Sequence, residues 1–225
     1  MGVFNYGRIK KYMDPEYKTA VETGTFTGLG TKKLISHFEK IYTIELNKEL
    51  YESAVELYSQ DESVICLQGD SSGVLLEIMD ELNKCGKTLF WLDAHWSGDE
   101  SVDWKHSKWK GYGINTSHVG SEPLNIYQCP LELELMTIYK YFKHECVIYI
   151  DDYDNINHET GIGHKDKAFI GEDWSHINFP KILENIKSRL EETVYTGTEK
   201  QLEAGKPHQL LLKMIRKNEH ISMGG

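Results

Sequence analysis

Carboxylates at the ends of apolar runs are the residues of this chain best placed to do chemistry. Phe90-Trp91-Leu92-Asp93-Ala94-His95-Trp96 carries one such run into Asp93, and Val147-Ile148-Tyr149-Ile150-Asp151-Asp152-Tyr153 carries another into Asp151 and Asp152. If the two runs are neighbouring strands, three carboxylates share one rim, and they repel one another unless a cation sits among them. Oxygen donors alone favour Mg²⁺ or a similar hard divalent ion, completed by water or substrate. The plainer reading makes Asp152 the cap of a turn and Asp93 a solvated strand end. A cation on this rim would polarise a hydroxyl and ease the loss of its proton. His95, two residues beyond Asp93, is the candidate base, because neutral imidazole accepts a proton near pH 7. Its alternative role is to orient an aspartate by hydrogen bond.

A second group of residues lies upstream. Val21-Glu22-Thr23-Gly24-Thr25-Phe26-Thr27-Gly28 has the form Glu-x-Gly-x-x-x-Gly. Its glycines let a backbone turn sharply and approach a ligand without a Cβ in the way. An acid here suits a cationic or hydroxylated ligand and repels a pyrophosphate. The spacing also misses the dinucleotide pattern Gly-x-Gly-x-x-Gly, since Gly24 is followed by Gly28 and Gly30. Ile41-Tyr42-Thr43-Ile44-Glu45 ends in a carboxylate 21 residues after Gly24, close to the ~20 at which such folds set an acid on a ribose diol. Gln68-Gly69-Asp70-Ser71 adds an acid suited to an adenine amino group. Each acid could instead cap the next helix, and Asp70 with Ser71 would do that well.

These residues need elements to hold them. Strands are expected at Tyr17–Thr23, Lys40–Glu45, Ser63–Leu67, Thr88–Asp93 and Cys146–Asp151, with helices at Gly30–Phe38, Lys48–Tyr58, Ser72–Asn83 and Pro130–Phe142. The strand cores VICL, TLFWL and VIYI are nearly continuous apolar runs, as in a parallel sheet covered on both faces. Strand-helix alternation implies right-handed βαβ units, whose ligands bind at the carboxyl ends of the strands. A further helix near Pro180–Leu190 precedes runs at Thr193–Thr198 and Gln209–Ile215, separated by the turn-rich stretch Glu203 to Pro207. That pair reads as a terminal antiparallel hairpin. The expected fold is α/β: a Rossmann-like, doubly wound, mostly parallel seven-stranded sheet in one domain over 1–225. A substrate-loop insertion is expected at about 97–128.

ETGTFTG, IEL and QGDS resemble the cofactor motifs of class I S-adenosylmethionine-dependent methyltransferases. The resemblance runs from about the first strand through the terminal hairpin. It implies that Glu22, Gly24, Thr25, Gly28, Glu45, Asp70 and Ser71 contact S-adenosylmethionine. It also implies a reversed seventh strand, in agreement with the hairpin. LDAHW and YIDDYD resemble the metal-dependent O-methyltransferase branch, which includes catechol-type and macrocin-type sugar enzymes. By that resemblance Asp93, Asp151 and Asp152 hold Mg²⁺. The long insert after Asp93 and the lack of a matching catalytic lysine depart from the pattern.

The acceptor expected is a sugar hydroxyl, on a nucleotide sugar or a glycan precursor. Within the insert, Trp104 and Trp109 suit a pyranose face, while Lys105, Lys108 and Lys110 suit phosphate. A small catechol-like aromatic is the rival acceptor. An NAD-dependent nucleotide-sugar oxidoreductase or epimerase is disfavoured by Glu22 and the glycine spacing. A non-catalytic cofactor-binding module has no need of three acids on one rim.

Composition agrees with a soluble globular protein. Apolar residues at 40% and aromatics at 11% of 225 residues suffice for a core, which excludes global disorder. A net charge of −10 argues against nucleic acid or an anionic membrane as partner and leaves a small molecule. Cys66, Cys85, Cys129 and Cys146 lack CxxC or His/Cys spacing and read as thiols of a reducing compartment. No apolar run reaches the ~18 residues of a membrane span. After Met1-Gly2, Tyr6 stands where myristoylation wants Ser or Thr. A cytoplasmic protein is the default expectation, and a homo-oligomer is left open.

Overall fold

The computed structural model describes residues 4–95, 128–167, 170 and 172–217. Its central strand is β1 (Thr19–Thr23), every residue of which is buried. Around it lie β2 (Lys40–Glu45), β3 (Val64–Gln68), β4 (Thr88–Leu92), β5 (Cys146–Ile150), β6 (Leu190–Thr196) and β7 (Gln209–Met214). Together they form one seven-stranded sheet of order β3-β2-β1-β4-β5-β7-β6. Strands β1 to β5 pair in parallel, and β7 is antiparallel to both β5 and β6. The seven-stranded fold expected from the sequence is present, reversed strand included.

Helices cover both faces because successive side chains of a strand point to opposite sides. Val21, Phe90, Ile148 and Leu212 face a core shared with α4 (Ser71–Cys85), α5 (Leu131–Tyr141) and α6 (Phe179–Ile186). Ala20, Leu89, Val147 and Leu211 face the opposite core, which takes in Ile9 of α1 (Tyr6–Ile9) and Leu34 of α2 (Leu29–Ile35). Between β2 and β3 runs α3 (Lys48–Leu57), capped by Asn47, whose side chain accepts from the backbone N–H groups of Glu49 and Leu50. Both sheet edges differ from this buried centre. Strand β3 is half-buried throughout, and β6 sets Glu191 and Glu192 on its exposed edge, a charge arrangement that discourages further strand pairing.

Strand ends align into a rim. Thr23 is level with Ile44 and Leu92, and Leu92 with Ile150. The ladder runs one residue further: the Gly24 N–H donates to the Ile44 carbonyl at 2.9 Å, the Asp93 N–H to that of Thr23 at 3.2 Å, and the Asp151 N–H to that of Leu92 at 3.0 Å. The residues just past β1, β4 and β5 therefore emerge side by side. Because β7 is reversed, its first residue, Gln209, and the preceding His208 reach the same rim, with Leu210 paired to Ile150.

Some elements depart from the sequence reading. Helix α1 and the 3-10 turn Lys10–Tyr12 precede the expected first strand, which begins at Thr19 instead of Tyr17. The connection before β7, read as a turn, holds a short helix, α7 (Glu199–Glu203). There Thr198 and Gln201 form a reciprocal capping box, which offsets the marginal stability of five helical residues. Helix α6 ends at Ile186, and β6 starts at Leu190, three residues before the expected run. Among the described residues no helix is long and apolar enough to cross a membrane.

Candidate active site

The turn after β1 is built around glycine. Gly24 has φ +84°, and a Cβ there would lie 2.7 Å from the Asp93 carbonyl oxygen, so only glycine lets this turn pack on the β4 end. Phe26 also has positive φ, at 48°. Its N–H donates at 2.7 Å to Oε2 of Glu45, whose Oε1 accepts from the Asn47 N–H at 2.8 Å. Burial pushes the Glu45 carboxyl above its ordinary range, against the pull of the N–H groups of Asn47 and Phe26. Each oxygen retains a further lone pair for a hydroxylated ligand.

Glu22 lies beneath this turn, 1% exposed. Its Oε2 accepts from Thr43 Oγ1 at 2.7 Å and from Thr31 Oγ1, which ties β1 to β2 and α2. Thr25 Oγ1 joins the set 2.6 Å from Thr43 Oγ1. Burial raises the Glu22 pKa to about 7, although both threonine hydroxyls oppose it. A Cβ on Gly30 would meet Glu22 Oε1 at 2.1 Å, so the carboxylate is packed under the first turn of α2. At the β3 end Asp70 caps α4, its Oδ1 accepting from Ser72 Oγ and, at 3.2 Å, from the Gly73 N–H. Ser71 Oγ donates to Glu134. The capping alternative weighed for Asp70 is thus realised.

Glu134 escaped the sequence reading. It sits on α5, 1% exposed, bonded to Ser71 and to the Thr23 side chain, and burial pushes its pKa to about 8. Thr23 Oγ1 in turn accepts from the Asp93 N–H at 3.2 Å. A signal was available. Leu131, Glu134, Leu135 and Ile138 share one face at helical spacing, and all four are buried.

On the β4–β5 side the expected acids come together with two imidazoles. His95 Nε2 is 3.3 Å from Asp152 Oδ2, and its Nδ1 is 3.9 Å from Asp93 Oδ1. His208 Nε2 is 3.4 Å from Asp152 Oδ1 and 3.6 Å from Asp151 Oδ1, while its Nδ1 bonds Asp154 Oδ1 at 2.7 Å. Gln209 Nε2 donates to Asp151 Oδ1 at 3.1 Å. That amide is held in turn by Arg8, whose NH1 donates to Gln209 Oε1 at 3.0 Å, and by the Tyr149 hydroxyl. Asp152 occupies a left-handed backbone conformation, φ 47°.

Charge is crowded here. Burial and then the negative charges of Asp151 and Asp152 push Asp93 well above the carboxylate range. Burial and Asp152 also raise the Asp151 pKa, against the Gln209 bond. Asp151 Oδ2 is buried with no hydrogen-bond partner among the described residues. A divalent cation answers each of these features, so the donor set fits one. Two sets of ligand atoms lie within 4.8 Å of one another: Asp93, His95 and Asp152, and Asp151, Asp152 and His208. The expected trio Asp93, Asp151 and Asp152 is therefore distributed over two sets that share Asp152, and each set includes an imidazole the all-oxygen reading lacked.

Trp104, Lys105, Lys108, Trp109 and Lys110 lie outside the described residues, as does all of the expected loop except Gln128. The four cysteines are free thiols, Cys129 and Cys146 buried.

Solved structures share this architecture. An S-adenosylmethionine-dependent methyltransferase from Mesorhizobium loti matches with a TM-score of 0.50 at 10% identity, over 94% of this chain and 97% of that one. The Haloferax volcanii complex of the Trm112 methyltransferase activator with an assigned methyltransferase matches at 0.55 and 12% identity, over 95% and 89%. A Listeria monocytogenes protein assigned as an S-adenosylmethionine-dependent methyltransferase matches at 0.51 and 11%, over 95% and 98%. No protein-family model and no curated protein matches the sequence. At these identities the likeness concerns architecture. The chain has the Rossmann-like fold of S-adenosylmethionine-dependent methyltransferases, with its reversed seventh strand.

Proposed function

We propose that this chain is an S-adenosylmethionine-dependent O-methyltransferase assisted by a divalent cation and acting on a sugar hydroxyl. The observation that carries the reading is the position of the acid-imidazole rim, directly beside the glycine turn where the strand order switches between β1 and β4. An acidic turn with Glu45 at its edge suits a ribose diol and a sulfonium better than a pyrophosphate.

When bound, S-adenosylmethionine supplies an electrophilic methyl group. Asp93, Asp151 and Asp152, spread over two ligand sets that share Asp152, would hold a divalent cation, and its positive charge would make an acceptor hydroxyl more acidic. Residues of the chain do the rest. Glu45 accepts from the ribose hydroxyls and, through Phe26, fixes the turn. Glu22 and Thr25 hold that turn on β2, and Asp70 with Ser71 shapes the adenine side. His95, next to Asp93 and Asp152, takes the proton released by the acceptor. Alignment for in-line transfer contributes several kcal/mol of the barrier reduction. The sugar assignment rests on the sequence of the stretch after His95, where tryptophans and lysines alternate.

Calorimetric titration with S-adenosylmethionine and with NAD, run separately, tests the reading. S-adenosylmethionine binding without NAD binding is expected. NAD binding without S-adenosylmethionine binding overturns it.

A further inference from the structure

The geometry points to His208 as a metal ligand through Nε2, oriented by Asp154, which makes the rim a mixed nitrogen-oxygen site for a first-row transition ion such as Mn²⁺ in preference to Mg²⁺. This rests on the cation-assisted reading above and names the ligand and the class of ion.

Four observations carry it. First, the two ring nitrogens of His208 have different surroundings. Nδ1 makes a 2.7 Å bond to Asp154 Oδ1, which assigns the proton to that nitrogen and leaves the Nε2 lone pair for the rim. Carboxylate, imidazole and metal in this order are how a ligating histidine is commonly oriented. Second, Nε2 lies 3.4 Å from Asp152 Oδ1 and 3.6 Å from Asp151 Oδ1. Both distances exceed a good hydrogen bond. They are close to the ~3 Å separating adjacent ligands on an octahedral ion with bonds of about 2.1 Å. Third, Asp151 Oδ2 is buried beside them with no hydrogen-bond partner among the described residues, an acceptor with an unused lone pair. Fourth, the fold delivers His208 deliberately: β7 is reversed, so its leading residues reach the carboxyl rim, and the His208 carbonyl is fixed by the Tyr153 N–H at 2.8 Å.

His95 is a different case. Its two ring nitrogens lie 3.3 and 3.9 Å from carboxylate oxygens of the rim, so neither is set apart by an orienting bond. That leaves it for proton transfer. Asp154 is a positioning residue, held by His208 and by Lys167 Nζ, 3.1 Å from Oδ2. An imidazole in the set shifts preference from Mg²⁺ towards ions that take nitrogen donors readily.

The test uses the full chain freed of metal, with Mn²⁺ and Mg²⁺ as probes. Free Mn²⁺ is counted by electron paramagnetic resonance, and pulsed spectra of bound Mn²⁺ report coupling to an imidazole nitrogen. Wild type is expected to bind Mn²⁺ more tightly than Mg²⁺ and to show that coupling. His208→Ala should lose the coupling and weaken Mn²⁺ at least tenfold, with a smaller loss for Mg²⁺. His95→Ala should retain the coupling, and Asp154→Asn should weaken Mn²⁺ by about tenfold. S-adenosylhomocysteine binding checks that each variant keeps its site, and the wild-type spectrum bears on the assignment without any substitution. Bound Mn²⁺ with no nitrogen coupling, or a coupling lost in His95→Ala and kept in His208→Ala, overturns the assignment of His208 and leaves the cation reading standing. Absence of any Mn²⁺ or Mg²⁺ binding to wild type overturns the cation reading itself.

Discussion

The Ser71 hydroxyl donates to Oε1 of Glu134 at 2.5 Å, so the first residue of α4 is fastened to α5 by a carboxyl that water does not reach. Through Thr23 the same carboxyl touches the end of β1, whose hydroxyl accepts from the Asp93 N–H. The start of α4 and the acid rim are thereby linked through one buried group.

That link makes stability depend on pH. Burial lifts the Glu134 pKa from 4.5 to about 8 in the folded state. Its contribution is fully present below the unfolded value and is lost as pH rises through the folded one. Glu134→Gln removes the ionisation and keeps the shape. The variant should lose stability less steeply than wild type between pH 5 and 9, with a difference of up to ~4 kcal/mol at the alkaline end. Urea unfolding at several pH values measures it. Parallel curves for the two proteins would show that Glu134 does not titrate in this window.

Glu45 is the second test. A charge-assisted hydrogen bond contributes ~1.5–3 kcal/mol, so Glu45→Ala should weaken S-adenosylmethionine ten- to hundredfold. Part of that loss comes from the Phe26 N–H, which loses its acceptor. Calorimetry on the folded variant decides, and unchanged affinity removes Glu45 from the site.

Much of the scaffold was legible because β4 and β5 are buried on both faces and therefore read as nearly unbroken apolar runs. The alignment of Glu45, Asp93 and Asp151 followed from strand ends alone. Other features depend on information that no local pattern holds. Helix α1 spans four residues without a capping side chain, and its place is set by the burial of Phe4 and Ile9 against the sheet. His208 and Gln209 reach the rim only through the register of β7 against β5, more than fifty residues of chain away from Asp151. The Thr-x-x-Gln box of α7 and the acid on the apolar face of α5 are both written in the sequence.

Charge crowding predicts opposite effects of one substitution with and without metal. Asp93 is disfavoured as an anion by burial and by Asp151 and Asp152. In excess chelator, Asp93→Asn should therefore melt several degrees above wild type, where 1 kcal/mol corresponds to roughly 2–4 °C for a chain of this size. Adding a divalent cation should raise the melting temperature of wild type and leave the variant nearly unchanged. Calorimetric melts test both halves. Equal shifts in the two proteins would exclude Asp93 as a ligand, and full turnover in excess chelator would exclude the cation from the reaction.

On the proposed function, the acceptor is addressed by the stretch that follows His95. An overall charge of −10 repels a phosphorylated substrate, so a nucleotide-linked sugar needs local positive charge to approach the acid rim. Lys105, Lys108 and Lys110 are clustered within six residues and flank Trp109, with Trp104 just before them. Phosphate contacts of this kind act mainly on ground-state binding. Replacing all three lysines by alanine should then raise KM for a nucleotide-linked sugar about tenfold or more and leave kcat nearly unchanged. An uncharged sugar acceptor should show little change in either constant, which separates loss of charge from loss of fold. Trp104→Ala and Trp109→Ala should instead weaken both acceptors, because stacking on a pyranose face does not depend on phosphate. Steady-state kinetics on a panel of sugars, nucleotide sugars and catechols checks these outcomes. Methylation of catechols with none of any sugar would end the sugar assignment and leave the methyltransferase reading in place.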